Sequence, residues 1–136
     1  MFKLAKIEGS GTNQAEPIRI PTAPSLPYKA FCAYTNIDGF LADTTNDAPP
    51  THIALENLGP DEKDTVLCYR ILDNMIFEVS VTGSFSSMLI GQKYKIKIDS
   101  DGAGIGITPQ IGGHITVYDS NGAMESGDKV YVRIEK

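Results

Sequence analysis

Two short runs in the C-terminal third alternate side chains with a period of two. "KYKIKID" (Lys93 to Asp99) interleaves Lys with Tyr and Ile, and "KVYVRIE" (Lys129 to Glu135) sets Val130, Val132 and Ile134 on one side. Successive side chains of an extended strand point to opposite faces, so this period describes strands with one face buried and does not describe an amphipathic helix. A chain with two such runs has to build a sheet.

Further strands follow from the same reasoning. "TVLCYRIL" (Thr65 to Leu72) and "MIFEVSVT" (Met75 to Thr82) are rich in β-branched and aromatic residues and flank Asp73-Asn74, a pair that tolerates positive φ, so they are expected to pair as a hairpin. "HITVYD" (His114 to Asp119) is expected to reach the last strand through turns at Asn121-Gly122 and Gly127-Asp128. Weaker strand signals lie at "KAFCAYT" (Lys29 to Thr35), "THIALE" (Thr51 to Glu56) and "AGIGIT" (Ala103 to Thr108), the last with glycines that forecast a bulge or an edge.

Helix signals are few. "PDEKDTVL" has an acidic first turn that the β-branched run behind it cuts short, and "SFSSMLIGQ" has room for a single helical turn. The fold class is therefore all-β, a small single-domain barrel or sandwich with little helix. A length of 136 residues fits one domain, and 41% hydrophobic with 21% charged residues is enough apolar content for a core.

Several function classes find no support. The net charge of −5, with twelve basic residues scattered among seventeen acids, opposes a nucleic-acid groove. No stretch approaches the roughly 20 apolar residues of a membrane helix, and "MFKLAKIEG" lacks the apolar centre of a signal peptide, so no membrane partner and a cytosolic site of synthesis are expected. Cys32 and Cys68 sit in apolar surroundings without a CxxC and are read as buried free thiols.

No catalytic residues emerge, and no cofactor or metal is expected. His52 and His114 fall outside any ligand or triad spacing. "GAGIG" (Gly102 to Gly106) lacks both the GxGxxG spacing and the GK[ST] ending of phosphate loops. "DSDGAG" (Asp99 to Gly104) opens like a calcium loop but continues "IGITPQ" without the acids such a loop needs, which leaves a solvated turn.

The N-terminal "KIEGSGTNQAEPIRIPTAPS" (Lys6 to Ser25) is mostly polar, with Gly, Ser, Thr and Asn around apolar clusters at Ile7 and at Ile18 to Ile20. With prolines at 17, 21, 24 and 27, residues 1–27 read as an extended arm ahead of a β-rich domain at residues 28–136.

Three segments together carry a family resemblance: "FKLAKIEGSGTNQAEPIRIP", "THIALENLGPDEKDTVLCYRILDNMIFEV" and the closing "HITVYDSNGAMESGDKVYVRIEK", whose Gly127, Asp128, Lys129 and Val130 match a Gly-Asp-Lys-Val turn before a final strand. In these the chain resembles the small head-decoration, or capsid-cement, proteins of tailed bacteriophages and prophages. Residues Phe31 to Pro50 match nothing sharp.

The resemblance implies a β-tulip-like domain and a non-enzymatic virion protein on the outside of an expanded capsid, assembled in the host cytoplasm. Its partners would be the major capsid protein and, as in members that form trimers, copies of itself. A ligand that binds only the expanded lattice stabilises it by mass action, and an extended arm can add a strand to a sheet edge of the shell. Phe2, Leu4, Ile7, Ile18, Arg19 and Ile20 are the expected capsid contacts, unless the apolar clusters among them are the first strands of the domain's own barrel. The other readings are a small ligand- or carbohydrate-binding β-barrel and a tail or head-fibre component; an enzyme would need His52 or His114 to meet acids in a pocket.

Overall fold

A computed structural model describes residues 1–9, 14–83, 90–120 and 125–135. The chain is all-β, and among the described residues there is no helix, hence none long and apolar enough to cross a membrane. Eleven strands follow in chain order: β1 (Lys3–Ile7), β2 (Ile18–Pro21), β3 (Ala33–Ile37), β4 (Phe40–Ala42), β5 (His52–Ala54), β6 (Thr65–Arg70), β7 (Met75–Ser80), β8 (Lys93–Ile98), β9 (Gly104–Ile111), β10 (Ile115–Asp119) and β11 (Lys129–Ile134). They form one antiparallel sheet in the order β1-β7-β11-β10-β8-β9-β3-β5-β6-β2, with β4 attached to β3.

The sheet does not close into a barrel. It curls into two lobes, and among the described residues the strand ladder passes from one to the other at the β3 to β9 pairing, Ala33 opposite Gly104. An isolated bridge between Val81 and Ile107 draws β7 towards β9 around a larger core. A second bridge, Thr22 to Leu41, draws β2 towards β4 around a smaller one. The first contact is possible because residue 106 is glycine: a Cβ there would stand 2.6 Å from the backbone oxygen of Ser80.

β3, β5 and β6 lie between the two cores and bury both faces. Ala33, Ile53 and Tyr69 join the larger core, and their neighbours Tyr34, Ala54 and Cys68 join the smaller. This double burial explains why "CAY" (Cys32 to Tyr34) and "VLCY" (Val66 to Tyr69) are continuous apolar runs. The alternating strands each bury one face: in β8 Tyr94 and Ile96 are buried, and in β11 Val130, Val132 and Ile134.

The hairpin expected at Asp73-Asn74 does not form. Both runs are strands, but β6 pairs with β5 and β2, whereas β7 pairs with β1 and β11. β6 is a middle-layer strand and β7 a wall of the larger lobe, so the chain crosses between lobes at this turn, where the Asn74 side chain donates to Glu8 O at 3.0 Å. β10 and β11 do pair, with Gly127 at φ 95° before the last strand; the Asn121-Gly122 turn lies outside the described residues. β9 shows the forecast bulging, with two register shifts against β8. Residues after Pro60 form turns, and most of "SFSSMLIGQ" also lies outside the described residues.

Candidate functional site

The first 21 residues supply both end strands of the sheet, β1 and β2. β1 lies on β7 with Leu4 opposite Phe77, and β2 lies on β6 with Ile20 opposite Val66. The two ends of the segment are thus strands of the domain's own sheet, and the expected contact residues divide between the lobes. Phe2 has no exposed surface, meets Phe77 edge to face at 6.0 Å, and donates its backbone N–H to Phe31 O at 2.7 Å. Leu4 and Ile7 pack partly against the larger core, Ile18 and Ile20 partly against the smaller. Arg19 is exposed on the opposite face of β2, with Nη1 3.6 Å from Glu56 Oε1.

Two of these residues share a groove. Ile7 and Ile18 line one groove of about 330 Å³ between the end strands, together with Glu16, Arg70, Leu72 and Met75. Leu72 adds an exposed apolar side chain there, and Glu16 and Arg70 bring one charge of each sign.

A larger cleft of about 630 Å³ adjoins this groove through Gln14 and Ala15. Its apolar lining is Met1, Leu4, Ala15, Phe31, Leu55 and Tyr69, and its charged side chains are Lys3, Lys129 and Glu78. Glu78 accepts a hydrogen bond from the Tyr131 hydroxyl at 3.2 Å. Burial pushes the Tyr69 phenol well above its ordinary range, so it stays a neutral part of the wall. Phe31 has φ 64°, a left-handed conformation that is a steric outlier for a bulky residue. Two backbone bonds hold it there, its N–H to Ala54 O and its carbonyl to Phe2 N–H, both 2.7 Å. The residue remains 46% exposed and lines the cleft, so the strained backbone leaves an aromatic side chain at the cleft instead of burying it.

Sequence reasoning passed over two features. One is this cleft, assembled from four strands and three loop segments distant in sequence; the other lies in the unmatched stretch Phe31 to Pro50. There β3 and β4 pair as a hairpin with Ile37 opposite Phe40 across Asp38 (φ 52°) and Gly39 (φ 90°). Asp-Gly between two apolar residues is a direct signal for a two-residue turn and was available in the sequence.

The calcium-like loop is the turn between β8 and β9, and its carboxylates face a lysine. Lys29 Nζ bonds Asp99 Oδ2 and lies 3.0 Å from Asp101 Oδ2, which holds the Asp99 carboxyl below its ordinary range. Among the described residues no group of three or more His, Cys, Asp or Glu is arranged to hold a metal ion. His52 is buried in β5 with Nδ1 2.7 Å from Thr51 Oγ1, and His114 is half-buried before β10. Comparison with protein-family models, with curated proteins and with solved structures finds no match in any of the three.

Proposed function

We propose that this chain is a non-enzymatic virion structural protein of the capsid-cement kind, which binds the outside of an expanded phage shell and links neighbouring major capsid subunits. The observation that carries the reading is the groove between β1 and β2, which Ile7 and Ile18 from the two end strands line together with exposed Leu72. The outer edge of β1 carries no further strand among the described residues, so a segment of the shell can enter the groove and extend the sheet with main-chain hydrogen bonds. Chemistry is not required of such a ligand, only preference for one lattice state. The six sequence-expected residues then take different roles: Phe2 and Leu4 anchor β1 to its own core, Ile7 and Ile18 face the partner, and Arg19 and Ile20 hold β2 in register.

The test is cosedimentation of purified protein with expanded and unexpanded phage shells, comparing wild type with the double substitution Ile7→Glu and Ile18→Glu. Wild type is expected to pellet with expanded shells only, and the double variant, checked for folding by circular dichroism, to remain in the supernatant. A folded wild-type protein that pellets with neither shell removes the reading. Deleting the first 24 residues is the wrong experiment, because it takes away two strands of the sheet.

A further inference from the structure

Two features remain without a role in that reading: the exposed apolar tip of the β3–β4 hairpin and the larger cleft. The tip is an unusual surface element. Ile37 and Phe40 flank the turn and are 49% and 48% exposed, and Asp38 sits between them. The turn is braced, with Gly39 N–H donating to Asn36 Oδ1 at 3.1 Å and Asn36 N–H to Thr51 Oγ1 at 2.7 Å. A loose loop hides its apolar residues by collapsing onto the domain, but a braced two-residue turn holds them in water.

We infer that the hairpin tip of one copy of this chain inserts into the larger cleft of a second copy, with Ile37 and Phe40 against Phe31, Leu55 and Tyr69. Three observations support the match. The cleft, about 630 Å³, lies in the size range of pockets that enclose a drug-sized ligand, which is ample for an Ile and a Phe side chain. The charges are complementary: the tip brings Asp38, and the cleft presents Lys3 and Lys129 with one acid, Glu78, which is engaged by Tyr131. This is a locally basic site in a chain of net charge −5, so a second copy is itself an acidic partner.

The third observation is placement. Phe31, in the cleft wall, stands just before β3, and the tip stands at the far end of the same strand. At about 3.3 Å per residue the two are roughly 20 Å apart along an extended segment, so the tip does not reach its own cleft. The contact therefore runs from head to tail between copies, and such heterologous contacts close into a ring or extend into a filament according to the rotation between neighbours. Two apolar side chains make a small interface, which places it in the weak, concentration-dependent class. The inference does not depend on any capsid partner, because it concerns only copies of this chain.

Sedimentation equilibrium over micromolar to millimolar protein tests it with two variants. The tip variant carries Ile37→Ser and Phe40→Ser, both at exposed positions. The cleft variant is Phe31→Gly, which suits the left-handed backbone and so keeps the fold while removing the ring. Wild type is expected to gain mass with concentration, and each variant alone to associate about thirtyfold more weakly. The decisive result comes from mixing them. The tip variant retains a cleft and the cleft variant retains a tip, so the mixture recovers one contact and stops at a dimer of one copy of each.

Wild type that stays monomeric to millimolar concentration overturns the inference. So does a tip variant that loses association while the cleft variant keeps it, which indicates a symmetric tip-to-tip dimer. A small molecule retained in native mass spectra by wild type and lost from the cleft variant, without any change in association, assigns the cleft to that molecule instead.

Discussion

The two cores of this molecule are built on different physical terms. The larger, under β7 to β11 and β1, is mainly aliphatic and phenylalanine, with Phe2, Met75, Phe77, Ile107 and Ile115 all buried beside the rings of Tyr69 and Tyr94. The smaller, between β2 to β6, combines Tyr28 and Tyr34 with Cys32, Cys68 and two alanines. Its tyrosine rings lie 5.0 Å apart, tilted by 57°, and bond the backbone: Tyr28 hydroxyl donates to Leu41 O and accepts from Ala23 N–H at 2.9 Å, and Tyr34 hydroxyl accepts from Lys29 N–H at 2.8 Å. Apolar burial is non-directional and follows area, but a buried hydrogen bond works only in one geometry. The larger lobe therefore supplies bulk stability, and the smaller one fixes the path of the loops at residues 22–31 and 41–51, which lead to the cleft and the hairpin tip.

The sharpest way to break this comparison is to remove volume from one core and only a hydroxyl from the other. Phe77→Ala is expected to cost about 4 kcal/mol in urea unfolding, because it leaves a cavity in the larger core and strips Phe2 of its edge-to-face partner. A loss below about 1 kcal/mol would mean that the larger lobe is not the source of bulk stability. Tyr28→Phe keeps the ring and removes two hydrogen bonds, stranding Leu41 O and Ala23 N–H; about 2 kcal/mol is expected from the same measurement. If the smaller core depended on burial alone, this substitution would be neutral.

A third effect is a pH dependence carried mostly by the smaller core, which holds four groups raised by burial against Tyr69 in the larger. Burial pushes the Cys68 thiol up to about 11 from an ordinary 9.0, and raises Cys32, Tyr28 and Tyr34 as well. Each of these is charged when deprotonated, so the unfolded chain ionises first as pH rises. Their stability contribution is complete below the unfolded value and is lost between about pH 9 and pH 11 for Cys68. Urea midpoints are expected to fall across that window, and to fall less in Cys68→Ala. Equal pH dependence in the two proteins would show that Cys68 does not carry the effect.

The difference between the lobes also sets how much could be read in advance. β8 and β11 were legible because each buries one face, so their side chains alternate. β6 and β7 were legible as strands, but their pairing was not. The middle layer buries both faces, and a strand with two apolar faces gives no sign of which neighbours will flank it. Asp73-Asn74 is an adequate turn whether the strands on either side pair with each other or part company, so the turn signal could not decide. Of the candidate site, Ile7 and Ile18 were expected contacts, and it took the fold to set them in one groove. Phe31, Leu55 and Tyr69 carried no local signal, since each is an ordinary apolar residue until the sheet curls.

By itself the sequence determined an all-β domain, the positions of most strands, the glycine-softened bulges of β9 and two buried thiols, because each of these depends on local period, turn chemistry or side-chain type. Only the tertiary structure decided that the sheet stays open, that the first 21 residues supply both its ends, and that a strained Phe31 faces a cleft at one end of β3 while Ile37 and Phe40 project from the other. Strand order and edge exposure depend on which faces find one another across long stretches of chain, and a period of two records only that a face is buried, not against what.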